Sequence, residues 1–550
     1  MSAAAALADE LHRLWRDHRP FLAGEDGLTT YDDRVPDLSP EAEERYRAAL
    51  EELSVRARVL PADGLEPHAS ITREVVLATA DREARLLASD GLDHVVSTSM
   101  VEGPSAILTA AGRTTPARPE EAEAYLERCR QMSAYLRRHV ERLRAGAEAG
   151  RRPVGSLVRA AIAQVEQDLA DEAGGVLLSV PAPPGWNREP RWRAGLRQLV
   201  ETEVRPALAD WRDAVAGLPV RADDRCGLCH LPDGEKDYIN LIRAHTTLDL
   251  APGDVHRLGL AEVESVTDEV VALGREIGCD GMEEIMAAFL RSGAGVPAET
   301  AMAGSRAAVA RAQDAIPAWV DGPIPGRCDV AAMAPHLAAA GHAPHYTPPR
   351  LDGSVPGTYW FNTNMPETGS GWNLEALAFH EAVPGHHLQM ARAQQLTDLP
   401  DLQRLGFITA YGEGWALYAE QLADEAGLYS STEARLGALV LRLFRSTRLM
   451  IDTGLHALGW SRGEATSQLL RRVPLPPAFA EAEVARYIAA PAQALGYAIG
   501  RRELVELRAL AEARLGSRFD VRRFHAVLLD RGSVPLPTLR RIVEEWVAAC

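Results

Sequence analysis

Residues 373–390 have the sequence NLEALAFHEAVPGHHLQM. Asn373 is a suitable N-cap, and apolar residues follow it at helical spacing, so the stretch predicts a helix. His380 and Glu381 stand side by side on this helix, with more histidines downstream. Imidazole nitrogens are neutral ligands for Zn²⁺, and a glutamate next to the first ligand is well placed to act on a water at the metal. The stretch is therefore typical of the metal-binding helix of a zinc hydrolase.

The spacing of the histidines departs from the usual zinc motif, because Pro384 occupies the position four residues after His380. The next histidines, His386 and His387, are six and seven residues after His380. In an unbroken helix a separation of seven residues is about 10 Å, too long for two bonds of about 2.0–2.1 Å to one ion. Proline interrupts helices, since it lacks an N–H and clashes with the carbonyl four residues back. We predict a break at 383–385 that brings His386 or His387 beside His380; a kinked core helix with buried histidines is the alternative.

A second segment offers carboxylates for the same site. Residues 411–420 read YGEGWALYAE, so Glu413 and Glu420 are seven residues apart and share one face of a helix. Burying two carboxylates on an otherwise apolar helix is costly unless a cation lies opposite. We predict that Glu413, which two glycines flank, is the third metal ligand and that Glu420 orients a ligand histidine through its other nitrogen. An exposed acidic face is the alternative.

Composition narrows the class of protein. The 550 residues include 59 Lys+Arg and 77 Asp+Glu, a formal net charge of −18, so nucleic acid and anionic membrane surfaces are poor partners. No stretch approaches the roughly 20 apolar residues of a membrane helix. Six scattered cysteines form no disulfide framework, and the N-terminus lacks the pattern of a signal peptide, so we expect a cytoplasmic protein. The segment Cys226-Gly-Leu-Cys229-His230 matches a haem-attachment pattern, which we interpret as coincidence.

Apolar residues recur at helical spacing along most of the chain, which predicts a mainly α fold. The predicted helices are 1–19, 40–58, 119–148, 155–173, 189–217, 373–383, 402–426, 431–458, 462–471, 480–487, 491–515 and 536–549. The best strand, residues 357–363, comes just before the metal helix. A run of Gly and Pro over 322–357 indicates irregular chain between a largely helical N-terminal part and a C-terminal part that contains the metal motif. We predict a helical region at 1–325 and a region at 326–550 that carries the chemistry.

Several further motifs accompany the two segments. They are Leu228-x-x-Leu-Pro-x-Gly, His245-Thr-Thr-Leu, Arg445-x-x-Arg448-x-x-x-Asp452-Thr-Gly-Leu-His456-x-x-Gly-Trp460-Ser and Pro491-x-Gln493-Ala-Leu-x-Tyr497-x-Ile-Gly500. With HExxPGHHLQ at 380–389 and YxEGWALYAE at 411–420, they extend from Leu228 to Gly500. In these motifs the sequence resembles the bacterial family catalogued as domain of unknown function 885. That family is grouped with zincin-like metallopeptidases whose third ligand is a glutamate.

The resemblance implies a large, helical, two-lobed zincin-like fold, to which the predicted strand at 357–363 adds a small β-sheet beside the active-site helix. It also implies a deep channel with one Zn²⁺ on its floor, and the helical region at 1–325 would then form one wall of that channel. The Gly385-His386 pair matches the Gly-His that ends the motif in several glutamate-type zincins, which favours His386 over His387 as the ligand. In related zincins a C-terminal tyrosine donates to the oxyanion, and the resemblance implies this role for Tyr497.

Other polar residues are candidates for catalysis or substrate binding. Asp452 and His456 are four residues apart, so the carboxylate is placed to orient an imidazole that stabilises the oxyanion or binds substrate. A buried hydrogen-bonded pair is the alternative. Arg445, Arg448 and Arg501 are candidates to pair with a substrate carboxylate, but pairing with the abundant acids of the surface is the favoured interpretation for each of them.

The predicted strand offers a further substrate-binding element. It contains Tyr359 and Asn362 and immediately precedes the metal helix. If it forms the edge of a sheet, an extended peptide can add to it through backbone hydrogen bonds.

Together these features predict a zinc-dependent hydrolase of amide bonds in short peptides or amino-acid conjugates. His380, His386 and Glu413 would hold one Zn²⁺, and Glu381 would be the general base. One alternative is a tailoring enzyme of small-molecule biosynthesis that acts on a non-peptide amide or acyl group. Another is a non-catalytic metal-binding protein, against which Glu381 argues, because a structural metal site needs no base.

Overall fold

The structure is a computed structural model that describes residues 2–23, 28–60, 66–89, 91–98, 102–292, 296–333, 338, 343–364 and 371–550. Helices dominate these residues, and a small three-stranded sheet accompanies them. The prediction of a mainly α fold is therefore confirmed. Among the helices described, none combines the length and apolar character needed to cross a bilayer.

The N-terminal part of the chain is built from helices. They are α1 (Ala3–His18), α2 (Pro20–Ala23), α3 (Pro40–Val59), α4 (Pro67–Ala88), α5 (Pro104–Arg113), α6 (Pro119–Glu148), α7 (Gly155–Ala170), α8 (Gly175–Ser179), α9 (Glu189–Leu199), α10 (Arg205–Ala216), α11 (Gly234–Thr246), α12 (Pro252–Gly274), α13 (Met282–Ser292) and α14 (Ala298–Ala315). A π-helical turn, Val200–Val204, joins α9 to α10. Proline opens α3, α4, α5, α6 and α12, because its missing N–H would be unpaired in a first turn anyway.

The sheet follows, with strands β1 (Asp329–Ala332), β2 (His345–Thr347) and β3 (Thr358–Phe361) in the order β1-β3-β2. Strand β3 pairs in parallel with β1 and antiparallel with β2, so that Tyr359 lies between Val330 and Tyr346. The predicted strand exists, but its expected place at a sheet edge is wrong, because both of its sides are paired. The sequence prediction missed β1 and β2 since they are very short and lie in the run rich in Gly and Pro.

Ten helices of the described chain complete the fold after the sheet. They are α15 (Leu374–Glu381), α16 (His386–Gln395), α17 (Asp401–Arg404), α18 (Thr409–Glu425), α19 (Thr432–His456), α20 (Arg462–Leu470), α21 (Pro477–Ala489), α22 (Leu495–Leu515), α23 (Val521–Leu529) and α24 (Leu536–Ala549). Helix α19 packs along α12, and α18 packs along α22. Helices α18 and α19 also contact α15, and α18 contacts α16, so these helices bring together the residues of the candidate site.

The apolar cores join distant parts of the sequence. The largest contains Leu11 and Tyr46 from the N-terminal helices together with Phe379, Trp415 and Leu539. A second core lies between α12 and the helices α19–α21, and a third is confined to residues 38–215. Both predicted regions contribute to the largest core. Residues from the N-terminal and C-terminal parts of the chain therefore pack together around the helices of the site.

Candidate metal centre

The metal-motif helix is interrupted, as the proline predicts. Helix α15 ends at Glu381, the Val383–Pro384 peptide bond is cis, and α16 begins at His386. A Cβ on Gly385 would lie 1.9 Å from the carbonyl oxygen of His380, so only glycine fits this close return of the backbone. The break brings the imidazoles of His380 and His386 together, with ring centroids 4.9 Å apart and planes at 84°.

Trp415 of α18 stabilises the break. Its buried indole Nε1 donates to the carbonyl oxygens of Pro384 at 2.9 Å and Gly385 at 3.2 Å. The helix that carries Glu413 therefore also holds the turn between the two histidines.

We expect Trp415→Phe to destabilise the protein by about 2–3 kcal/mol, because two buried carbonyls lose their donor and a cavity forms. It should also weaken metal binding, since the turn that places His386 is released. Trp192→Phe is the matched control: its buried indole donates to the carbonyl of Ala122 at 2.8 Å, far along the chain. Urea unfolding and zinc titration would measure both effects, and equal zinc affinities in the two variants would contradict the role given to Trp415.

Three side chains converge beyond the break. Atom Nε2 of His380 and atom Nε2 of His386 each lie 3.5 Å from Oε2 of Glu413. One ligand atom from each of the three buried residues lies within 4.8 Å of the other two. In the described part of the chain this is the one group of three or more His, Cys, Asp or Glu residues with that geometry.

This arrangement fits a zinc ion. Ligand atoms at about 2.0–2.1 Å from a tetrahedral ion lie roughly 3.3 Å from one another, close to the two observed separations. Oε2 of Glu413 is buried and has no hydrogen-bond partner among the described residues. A buried carboxylate oxygen without a donor is unfavourable unless a cation is nearby. The donor set of two imidazoles and one carboxylate is one that zinc sites use.

Glu420 orients His380. The ring Nδ1–H donates to Oε1 of Glu420 at 2.8 Å, which leaves Nε2 to face Glu413. Burial lowers the pKa of His380, but the carboxylates of Glu413 and Glu420 outweigh burial and raise that pKa to about 9. Conversely, the two imidazoles hold the pKa of Glu413 well below its usual range despite its burial. In the absence of an ion, a proton on His380 compensates part of the negative charge.

The close packing of α18 on α22 adds Tyr497 to the cluster. A Cβ on Gly414 would lie 2.5 Å from the backbone carbon of Gly500, so the glycines let the two helices touch. The ring of Tyr497 then lies parallel to that of His380, with centroids 6.5 Å apart. Burial and the charge of Glu413 raise the pKa of Tyr497 to about 12, so its hydroxyl keeps its proton at neutral pH.

A cavity of about 340 Å³ opens beside the cluster. His380, Glu381, Arg445, Arg448 and Tyr497 line it together with apolar side chains. Glu381 is buried and has no hydrogen-bond partner among the described residues, so its carboxylate is available to a molecule in the cavity. Burial raises the pKa of Glu381, which suits a base that must also carry a proton.

His387 lies outside the cluster. Its Nδ1 accepts a hydrogen bond from the Tyr346 hydroxyl at 2.9 Å, and its Nε2–H donates to the carbonyl of Gly326 at 2.7 Å. Burial lowers the pKa of His387, so the ring is neutral. Both nitrogens are occupied, and His387 links α16 to strand β2.

The predicted pairing of Asp452 with His456 is wrong. Asp452 instead accepts hydrogen bonds from the Tyr238 hydroxyl at 2.6 Å and from the backbone N–H of Ala492 at 3.0 Å. His456 accepts from the N–H of Leu228 at 3.2 Å and donates to the carbonyl of Tyr487 at 3.1 Å. Burial lowers the pKa of His456 to about 3, so its ring is neutral. Neither side chain lines the cavity.

The arginines divide into two groups. Arg445 and Arg448 are buried and line the cavity, whereas the guanidinium of Arg501 donates to Gln421 at 2.7 Å outside the cavity. A surface role is therefore wrong for the first two. Arg501 does not contact the site in the way that a substrate-binding role requires.

Tyr359 and Asn362 also lie outside the cavity lining. Tyr359 is fully buried in the central strand, and the side-chain amide of Asn362 donates to the carbonyl of Ala338 and accepts from the N–H of Asn364. Both residues are held within the protein, so their predicted contact with a peptide backbone is not available in this arrangement.

Sequence reasoning missed the wall of the cavity that α21 provides. Glu483 from this helix accepts hydrogen bonds from Arg448 at 3.1 Å and from Arg486 at 3.0 Å. Phe479 of the same helix also lines the cavity. The segment has an ordinary amphipathic pattern, so no local signal distinguished Glu483 from a surface acid.

The chain was compared with known proteins. Residues 20–543 match the family described as "Bacterial protein of unknown function (DUF885)". No curated protein sequence matches. Among solved structures, the chain is similar to "the putative lipoprotein from Colwellia psychrerythraea", with 25% identity, a TM-score of 0.90, and coverage of 100% of this chain and 99% of that chain. It is also similar in fold to "a putative lipoprotein of unknown function from Shewanella oneidensis", with 15% identity, a TM-score of 0.73, and coverage of 99% and 100%.

The family match covers nearly the whole chain and includes every residue of the cluster. It supports the resemblance noted from the motifs at the level of the family. The chain belongs to the DUF885 family of bacterial proteins of unknown function.

Proposed function

We propose that the protein is a zinc-dependent hydrolase of amide bonds in short peptides or amino-acid conjugates, related to the zincin-like metallopeptidases. The observation that carries this proposal is the convergence of His380, His386 and Glu413 on one buried point, at the wall of a cavity that Glu381 also lines. A volume of about 340 Å³ is near the lower end of ligand pockets, which span about 300–1,000 Å³, and favours a small substrate.

In this proposal His380, His386 and Glu413 hold the metal, and Glu420 keeps His380 in the tautomer that presents Nε2. Bound zinc would supply Lewis acidity toward the scissile carbonyl and lower the pKa of a water nucleophile to roughly 7. Glu381 accepts the proton of the attacking water and passes it to the leaving amine. Tyr497 donates a hydrogen bond to the oxygen on which negative charge develops.

Tyr497→Phe should lower kcat by about 100-fold or more, because one donor to the developing oxyanion is lost. KM and zinc content should hardly change, since the ring and its stacking on His380 are retained. Tyr411→Phe is the control, because its buried hydroxyl donates to the carbonyl of Leu528 at 2.9 Å and not to the site. Steady-state kinetics of both variants on one substrate would check this, and equal kcat values would argue against an oxyanion role.

A metal-reconstitution experiment tests the function itself. The purified protein is stripped with a chelator, dialysed, and titrated with Zn²⁺ while metal content and hydrolysis of a library of short peptides and N-acyl amino acids are followed. We expect activity to disappear with the metal and to return at one zinc per chain. Stoichiometric zinc without hydrolysis of any library member would favour a metal-binding protein, and the absence of zinc binding would overturn the proposal.

We propose a cytoplasmic location, since all six cysteines are free thiols. The two similar solved structures are named as lipoproteins, which makes the cell envelope the competing location. Cell fractionation with an antibody against the protein would distinguish the two.

A further inference from the structure

Two arginines of α19 face the cavity beside the candidate metal centre. Arg445 and Arg448 are three residues apart, so they share one face of the helix, and their exposed fractions are only 6% and 7%. Three of their nitrogens, Nε and Nη1 of Arg445 and Nη1 of Arg448, are buried without a hydrogen-bond partner among the described residues. Buried guanidinium donors are normally paired, so these nitrogens indicate a missing acceptor.

The carboxylates nearby do not supply that acceptor. Glu483 is shared: it accepts from Arg448, from two nitrogens of Arg486 and from the Tyr487 hydroxyl. The ion-pair partner of Arg445 is Glu420, at 3.6 Å, and the same Oε1 of Glu420 already accepts from His380 at 2.8 Å. These carboxylates therefore leave three guanidinium nitrogens on this wall of the cavity without an acceptor.

Arg445 lines the same cavity as His380 and Glu381. An anion bound between the two arginines would thus lie close to the metal centre but on a separate wall. The ring of Tyr497 lies 4.6 Å from the guanidinium of Arg448, which ties the arginine wall to the proposed oxyanion donor.

Much of the remaining lining of the cavity is apolar. The apolar side chains include Phe289, Leu441, Phe444, Val473, Leu475 and Phe479. A small anion alone would leave this surface uncovered. A carboxylate on a residue with an apolar side chain satisfies both the guanidinium groups and the apolar wall.

We propose that Arg445 and Arg448 bind the free carboxylate of an amino-acid residue whose apolar side chain occupies the adjoining wall. The proposal rests on the proposed function for its chemistry: the protein would cleave the amide bond that joins this terminal residue to the rest of a peptide or to an acyl group. A free carboxylate would then be a requirement of the substrate, and residues with amidated termini would be excluded.

Binding can be tested without turnover. Isothermal calorimetry is performed on the full-length Glu381→Gln protein with N-acetyl-L-phenylalanine and with its carboxamide, which differ only at the terminal group. We expect the acid to bind at least 10-fold more tightly than the amide, because charge-assisted bonds to two arginines are lost in the amide. N-acetylglycine should bind more weakly than N-acetyl-L-phenylalanine, because it lacks the apolar side chain. The affinity of glycyl-L-phenylalanine, compared with that of N-acetyl-L-phenylalanine, shows whether the carboxylate belongs to a peptide or to an acyl conjugate.

Variants assign the effect to the arginines. In Arg445→Gln and in Arg448→Gln, each made in the Glu381→Gln background, the preference for acid over amide should fall at least 10-fold, with the affinity for the amide unchanged. A merely structural role for these arginines would weaken acid and amide equally. Arg501→Gln is the matched control and should keep the preference, since Arg501 pairs with Gln421 outside the cavity.

Equal binding of acid and amide by the parent protein would overturn the proposal, and that comparison needs no arginine variant to fold. Persistence of the preference in both arginine variants would also overturn it, because the carboxylate would then be bound elsewhere, for example at the metal. The proposed hydrolase activity can fail separately, since a protein without zinc or turnover can still discriminate the acid from the amide.

Discussion

Glu381→Gln is expected to reduce kcat by about 100- to 10,000-fold while zinc remains bound. Glutamine has nearly the same shape as glutamate, but its amide cannot accept the proton of the attacking water or return it to the leaving amine. Glu381 lines the cavity and is not among the three residues that converge as ligands, so its replacement should leave the metal centre intact. Zinc content and single-turnover rates, measured on the same preparation, would separate these two properties.

A matched control lies on the same helix. Glu375 is as buried as Glu381, at 8% exposure, but it contacts Arg311 and the backbone N–H of Ser430 and does not line the cavity. Glu375→Gln should therefore cost stability without a comparable loss of kcat. An unchanged rate in Glu381→Gln would refute its role as the base, and loss of zinc in that variant would make it a ligand instead.

The second large effect concerns stability. Zinc at about 1,000 times its Kd should stabilise the folded protein by about 4 kcal/mol, because the ion binds the folded state alone. Glu413→Gln should abolish this gain, since it removes the carboxylate toward which both imidazoles point. Thermal unfolding of the stripped protein, with and without added zinc, measures the difference. Since the pKa of His380 is raised to about 9 without an ion, zinc must displace a proton there, and the gain should shrink as the pH falls below 9.

Glu503→Gln provides the comparison for Glu413→Gln. Glu503 is a buried acid of α22 that pairs with Arg540 at 2.7 Å, away from the cluster. Its replacement should lower stability but keep the full response to zinc. If Glu413→Gln kept that response, the ligand assignment would be wrong; if the wild-type protein showed none, no zinc centre would exist.

The local elements of the fold were largely predictable. Helical spacing of apolar residues predicted α6 at 119–148 and α19 at 431–458, close to the observed bounds Pro119–Glu148 and Thr432–His456. Pro384 predicted the break between α15 and α16, because a proline inside a helix removes a donor and clashes with the preceding turn. These features depend on neighbours within a few residues, so the sequence contains the information directly.

Contacts between distant segments were not predictable in the same way. Asp452 and His456 have a spacing that permits pairing. Instead, residues from the N-terminal part donate hydrogen bonds to them, Tyr238 to Asp452 and Leu228 to His456. Likewise, strand β3 looked like an edge until two short strands paired with both of its sides. These hydrogen-bond partners and this strand pairing depend on which distant segment of the chain packs nearby, and the spacing of apolar residues within a helix carries no information about distant segments.

The amino-acid sequence by itself determined the helical character of the chain, the break at Pro384, and the residue types that converge as His380, a second histidine and Glu413. Only the tertiary structure placed His386 rather than His387 beside His380 and Glu413, because Tyr346 and Gly326 occupy both nitrogens of His387 while His386 faces Glu413. It also decided that Arg445 and Arg448 line a cavity and Arg501 does not. The physical reason is that ring orientation and burial are set by packing among helices far apart in sequence.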